Sequence, residues 1–396
     1  MPTLTRTANA APCIGPAAIL HRAYAGHDLG HLTNALVARA LAPVADPGAV
    51  MDLATILQCR GEPWATEGLA LQRQAAALQP SYQISHGTGT GPRIAALVTF
   101  GDFMANTPVD FLLHGSDAVL ILHYVDADSQ SLNLPPHDAL IMAVGESAAN
   151  RATLTNLARL LADYPRPVFN NAPARIASLT RDRVADLLAG EPSILAPQTR
   201  RLTRAELADS DLQFPLLLRP IDSHAGHDLD LIADASELAR WLTETPTEHL
   251  YAAPFIDYRG PDGRYAKQRV VLIHGQPFAS HQAASTHWMV HYLNADMHLH
   301  ADRRMAEAQW MATFDTGFAR RHAQAFAALH RIFGLDYFGI DCAETRDGRL
   351  LVFELDIAMI VHDMDDEALF PYKKPAMKKL FEGFVAALTH PTQHRT

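Results

Sequence analysis

Cysteine is scarce in this chain: Cys13, Cys59 and Cys342 are the only three in 396 residues. They are far apart and form no CxxC, which excludes a cysteine-only zinc site and fits a reducing, cytoplasmic setting. Long hydrophobic runs are missing as well, so no stretch approaches the roughly 20 apolar residues that span a bilayer. The alanine-rich N-terminus is interrupted by polar residues before a signal-peptide core can form. Positive charge is in the minority, 33 Lys and Arg against 43 Asp and Glu, for a formal net charge of -10. That balance argues against nonspecific binding to nucleic acid or to an anionic membrane, while leaving room for a local basic pocket. There is no GxSxG, no GxxxxGK[ST], no HExxH and no kinase signature set, so any phosphate chemistry must work without a P-loop.

What is present is an ordinary globular composition, 48% hydrophobic and 19% charged, long enough for two or three packed units. Residues 1–88 read as a helical segment. Apolar residues recur at helical spacing in Ala35–Ala42, Ala49–Gln58 and Ala65–Leu78, with a Gly-Glu-Pro break at 61–63. This is one tetratricopeptide-like helical hairpin, and a single copy is not a repeat array. Gly87–Pro92 reads as a linker. Short apolar runs at Ile94–Val98, Ala118–Tyr124, Ala139–Val144 and Val168–Asn170, with helices such as Leu154–Leu161 between some of them, predict a small α/β domain over 89–171. Residues 172–396 form an α+β pattern. It comprises mostly helix to 212, a strand at Phe214–Leu218, a helix at Ser236–Thr243, long strands near Tyr251–Asp257, Tyr265–Ile273 and Pro277–Gln282, a helix near 317–333, and a hairpin at 337–357.

The hairpin carries the most chemistry. Asp347-Gly348 between two alternating runs signals a two-residue type I′ turn. That turn pairs Arg346 with Arg349, and counting back sets Asp341 opposite Glu354 and Gly339 opposite Asp356. Asp341, Glu354 and Asp356 then share one face, while Ile340, Cys342, Phe353 and Leu355 take the core face. Like charges directly across a strand pair repel and call for a counter-charge. An all-oxygen set suits a hard cation such as magnesium, which also binds nucleotide phosphates. A solvated surface hairpin is the alternative.

Phe338-Gly339-Ile340-Asp341 followed by Phe353-Glu354-x-Asp356 resembles the metal-binding end of the ATP-grasp superfamily, where the second strand usually reads Glu-x-Asn. Other segments follow in the same order. Phe214–Pro220 resembles the strand that ends in a phosphate-contacting Lys-Pro, with Arg219 in the lysine's place. Asp182-Arg183 resembles an earlier Asp-Lys pair. Pro254-Phe255-Ile256 resembles the inter-lobe hinge that holds adenine, with Asp257 available to a ribose. Lys267-x-Arg269 resembles the strand that faces phosphate or substrate. The segment from Ser223 to His227, with Gly226 its one glycine, stands where the family has a glycine-rich phosphate loop.

The resemblance implies an ATP-grasp fold of two α+β lobes over 172–396, preceded by the α/β domain. It implies an ATP- and magnesium-dependent carboxylate–amine ligase working through an acylphosphate on small-molecule or peptide substrates. Arg183, Arg219, Ser223, Gly226 and residues 254–257 would serve the nucleotide; Lys267 and Arg269 would serve the chemistry; Asp341, Glu354 and Asp356 would hold magnesium. Apart from the resemblance, His281 lies on the strand returning from Lys267–Ile273, where it could face substrate as a general base or contact. The alternatives are a binding module of the same fold without turnover, and a kinase acting on a hydroxyl. The N-terminal helices could pack between subunits of a homodimer.

Histidine is abundant, with 21 in the chain, and six crowd between His274 and His300. His298-x-His300 on a strand would share a face and could bind zinc, but no third ligand has suitable spacing. Most read as polar surface or hydrogen-bonded groups. Residues 297–300 and 362–367 are assigned no role.

Overall fold

The computed structural model describes residues 9–221, 223 and 228–389. The chain forms two compact units. The first runs to Ala177 and takes in Leu335–Tyr337 and the chain from Ile357; the second comprises Ser178–Gly334 and Phe338–Asp356.

The first unit is built on a six-stranded sheet of β1 (Ala11–Pro12), β2 (Ser81–Ser85), β3 (Arg93–Val98), β4 (Val119–Tyr124), β5 (Ala139–Met142) and β6 (Val168–Phe169), in the order β1-β2-β4-β3-β5-β6. Only β2 runs antiparallel to its neighbour β4. Residues Ile94–Val98 and Val119–Leu122 are buried throughout, as strands covered on both faces must be. The expected α/β strands are present. The pattern missed β1 and β2, and Gly87–Pro92 connects two strands of one sheet.

The expected helical hairpin is Pro47–Gln58 with Trp64–Leu78. Asp46 caps the first of these, accepting from Gly48 N and Ala49 N at 3.0 and 3.2 Å. Gly48 is required there, because a Cβ would meet the Pro12 carbonyl oxygen at 1.9 Å. Pro16–Tyr24 and Gly30–Ala40 add two more helices.

The second unit holds two sheets. One is four-stranded and antiparallel, in the order β10-β9-β11-β8: β8 (Arg200–Thr203), β9 (Leu216–Pro220), β10 (Asp230–Ile232) and β11 (His249–Pro254). Its core joins Leu202, Leu216, Leu218, Ile232 and Leu250 to Trp241 of the helix Ala235–Glu244. The other is five-stranded, in the order β13-β12-β14-β15-β7: β7 (Ile194–Leu195), β12 (Tyr265–Ile273), β13 (Gln276–Ser285), β14 (Tyr337–Glu344) and β15 (Leu350–Asp356).

Three readings of this region are corrected. β7 and β8 lie where helix was expected, because their runs are too short to show a period. The helix Ala301–Ala312 went unread, since its sequence is dominated by charged and small residues. The helix expected near 317–333 is two helices, Phe318–Arg321 and Ala323–Phe333.

The acidic hairpin reaches its expected register by a different route. Gly348 N donates to Thr345 O, Thr345 N donates to Arg349 O, and Gly348 has φ +83°. This is a three-residue connection ending in a left-handed glycine, in place of a two-residue turn. It sets Glu344, Ala343 and Cys342 across from Leu350, Leu351 and Val352, one residue out of the expected pairing. A β-bulge then intervenes, and Asp341 lies across from Glu354 with Gly339 across from Asp356. The extra residue is Phe353. It leaves the core face assigned to it and packs half-buried against Tyr258, ring centroids 5.1 Å apart. Ile340, Cys342 and Leu355 are buried as expected, and Val352 fills the place given to Phe353.

Candidate active site

The site is assembled within the second unit on one face of the five-stranded sheet. Strand alternation puts Lys267 and Arg269 of β12 on the same side, and β14 brings Asp341 beside them. Arg269 grips Asp341 with both arms of its fork, Nε to Oδ1 at 2.8 Å and Nη2 to Oδ2 at 3.1 Å. Lys267 Nζ adds a contact to Oδ2 at 2.8 Å. Asp341 is only 3% exposed. Burial alone would raise its carboxyl, but Arg269 and Lys267 outweigh that and hold it well below the usual carboxylate range.

Across the strand pair, Glu354 Oε1 accepts from Arg181 Nη2 at 2.5 Å. Burial raises this carboxyl and Asp341 pushes the same way. Arg181, with Arg219 and Lys267, prevails and lowers it. Arg219 projects from β9 of the other sheet of this unit. Its Nε donates to Ser223 Oγ at 3.1 Å, and its Nη2 donates to the Ser223 carbonyl. Burial and the neighbouring Arg181 bring its guanidinium down to about 10. Asp356 is half-buried at the end of β15.

His281 lies directly across from Arg269 on β13. Its ring stands 4.8 Å from that of Tyr292, whose hydroxyl donates to Glu307 Oε2 at 3.2 Å. Glu307 is fully buried and also accepts from Gln282 N at 2.9 Å. A buried carboxylate thus fixes both the strand next to His281 and the ring against it.

At the segment expected to be a hinge, Phe255 N donates to Pro215 O at 3.0 Å, and the Phe255 ring meets Trp288 edge-on at 5.9 Å. Pro254 ends β11 across from Leu216, and Ile256 is half-buried. Asp257 is exposed and committed to Arg259, whose guanidinium holds that carboxyl well below its ordinary value.

The sequence-predicted residues therefore separate into groups. Lys267, Arg269, Asp341, Glu354 and Arg219 converge. Arg183 does not join them: it is exposed on the helix Arg181–Leu188 and pairs with Asp186 at 3.5 Å. Gly226 lies outside the described residues. His298 falls in a turn and His300 stands just before the helix Ala301–Ala312, so the two do not share a strand face. Among the described residues, no three His, Cys, Asp or Glu side chains are gathered to hold a metal ion. The magnesium set expected on Asp341, Glu354 and Asp356 is not a cage here, because Arg269, Lys267 and Arg181 already occupy the first two carboxylates.

Arg181, Tyr292 and Glu307 escaped the sequence reading. For Arg181 a signal existed. Arg181, Val184, Ala185 and Leu188 fall at i, i+3, i+4 and i+7, and the last three are the helix's buried residues. Arg181 therefore extends the inward stripe, and Arg183 cannot. Glu307 had no such signal, since its helix was itself missed.

No family profile matches the chain, and no curated protein matches it. Solved structures similar to it include an ATP-grasp protein and D-alanine–D-alanine ligases. A RimK domain ATP-grasp protein from Sphaerobacter thermophilus DSM 20745 has a TM-score of 0.43 and 16% identity, over 75% of this chain and 100% of that one. The D-alanine–D-alanine ligase from Coxiella burnetii has a TM-score of 0.44 and 13% identity, over 74% and 94%. The Bacillus anthracis D-alanine–D-alanine ligase complexed with ATP has a TM-score of 0.42 and 12% identity, over 74% and 99%. Likeness at this level says nothing of reaction or substrate. The chain is an α+β protein with several sheets, as expected. No helix among its described residues is long and apolar enough to cross a membrane.

Proposed function

We propose that this chain is an ATP-dependent carboxylate–amine ligase of ATP-grasp type, forming an amide or peptide bond. The observation that carries the reading is the convergence of Lys267, Arg269, Arg181 and Arg219, from two strands and a helix, around Asp341 and Glu354. So many cations gathered about two carboxylates suit a polyphosphate better than a core. In the reaction, a substrate carboxylate oxygen attacks the terminal phosphorus of ATP, and the bond to ADP breaks with its electron pair on the departing ADP. The amine nitrogen then attacks the acyl carbon, phosphate leaves, and the amine proton passes to a base.

Lys267, Arg269, Arg181 and Arg219 neutralise the charge on the transferring group. His281, facing Arg269, is the candidate proton acceptor. The backbone at Pro254–Ile256 is the candidate adenine edge. Positioning and electrostatics supply the catalysis, so no nucleophilic side chain is needed. Asp341, Glu354 and Asp356 would offer oxygen donors to the magnesium this reading calls for only once the cations that hold Asp341 and Glu354 had moved away.

The test is thermal unfolding with a non-hydrolysable ATP analogue and magnesium, followed by ADP release with candidate carboxylates and hydroxylamine as the amine. Stabilisation of the wild type, its loss in Asp341→Asn, and trapping of a hydroxamate are expected. A phosphorylated alcohol in place of a hydroxamate would identify a kinase instead. Absence of any stabilisation at millimolar nucleotide would overturn the reading. The pairing of Asp341 and Glu354 with side-chain cations favours one alternative, a nucleotide-binding module without turnover, which would show stabilisation but no ADP release.

A further inference from the structure

The two central carboxylates of the site are each paired with side-chain cations. Asp341, almost fully buried, accepts from Arg269 on both oxygens and from Lys267 on one of them; Glu354 accepts from Arg181. A divalent ion approaching Asp341 would meet two positive charges already within contact distance of it, which repel the ion strongly in a poorly solvated place. We infer that in the nucleotide-free chain Lys267, Arg269 and Arg181 stand where a divalent cation would otherwise neutralise these carboxylates. Asp341 and Glu354 take up such a cation only after a polyphosphate has drawn those side chains onto its own oxygens. The inference rests on the proposed nucleotide site and adds an order of events to it.

The exchange leaves no carboxylate or cation without an opposite charge. Each cation that leaves a carboxylate gains a phosphate oxygen, and the carboxylate it leaves gains the metal. Linkage requires the two affinities to rise together: the factor by which polyphosphate tightens metal binding is the factor by which metal tightens polyphosphate binding. Lys267 is the side chain to remove. It shares Oδ2 with Arg269, and its flexible stem and point charge make it the easier cation to displace.

The probe is Mn2+, followed by water proton relaxation enhancement, which reports ion held by the protein. Wild type, Lys267→Met and Asp341→Asn are titrated with Mn2+ alone and with Mn2+ plus the ATP analogue AMPPNP. Circular dichroism checks folding, and Lys267→Gln replaces the methionine variant if that one misfolds. Wild type should hold Mn2+ with AMPPNP and not without it. The lysine variant should bind Mn2+ alone at least about tenfold more tightly than wild type, one repelling charge having gone. Asp341→Asn should lose the ion in every arm. Equal affinity of wild type for Mn2+ with and without AMPPNP, or no gain on removing Lys267, overturns the inference. Failure of AMPPNP to bind under any condition would sink the nucleotide reading instead, while the metal-alone comparison would still decide what Lys267 does.

Discussion

Asp341 lies directly across the β14–β15 pair from Glu354, and it does so because two one-residue offsets cancel. The three-residue connection at Arg346–Gly348 shifts the register one way, and the bulge at Phe353 shifts it back. Two like charges face each other as a result, an arrangement that is unfavourable unless each has its own counter-ion. Arg269 with Lys267 supplies one and Arg181 the other.

Asp341→Asn should destabilise the second unit by about 2–3 kcal/mol at neutral pH. That is below the roughly 3–5 kcal/mol for breaking a fully buried pair, because the side chains of Lys267 and Arg269 remain 22% and 17% exposed. The folded carboxyl is depressed, so its contribution is present above the unfolded value of about 3.9 and is lost as pH falls through the folded value. Urea unfolding of wild type and variant should therefore differ at pH 7 and converge in acid. A gap that widens in acid would contradict the assignment.

Arg181→Ala and Arg183→Ala separate the helix's two arginines. Loss of Arg181 should weaken binding of an ATP analogue by about tenfold or more, the scale of a charge-assisted contact. Loss of Arg183, exposed and paired with Asp186, should change it less than twofold, given the roughly 0–1 kcal/mol such surface pairs are worth. Calorimetric titration of both variants reads the difference.

Gly348→Ala should cost about 1 kcal/mol through its left-handed backbone alone. No heavy atom lies within 4 Å of the added Cβ, so crowding contributes nothing. Gly348→Asn, which tolerates that backbone better, should recover part of the loss in chemical denaturation.

Glu307→Ala should be among the most damaging single changes in the second unit, about 3 kcal/mol, since it strips a buried backbone N–H and a tyrosine hydroxyl of their acceptor. Tyr292→Phe removes only the hydroxyl contact and should cost about 1 kcal/mol, with the ring against His281 kept. Thermal midpoints of the two variants, compared with Glu307→Gln, test that ranking.

Several features of this protein are local and could be read along the chain. The strands Arg93–Val98 and Tyr265–Ile273 announce themselves as apolar or alternating runs, and the Pro47–Gln58 helix by its period. The carboxylates of the hairpin were visible because strand pairing translates spacing into opposition. Even their register was foreseen, although through a turn the chain does not make.

Tertiary structure alone decided the rest. The helical stripe of Val184, Ala185 and Leu188 marks Arg181 as inward, but that it meets Glu354 depends on the packing of that helix beside β15. The partners of Asp341 come from residues 72 and 74 positions away in sequence, brought in by the pairing of β12 with β14. Glu307 is buried only because Gln282 and Tyr292 meet it across sequence gaps that no local pattern records. Local sequence fixes backbone preference and the spacing of side chains. The choice between a metal ion and a side-chain cation as the neighbour of a carboxylate is made by whichever charge folding carries to it.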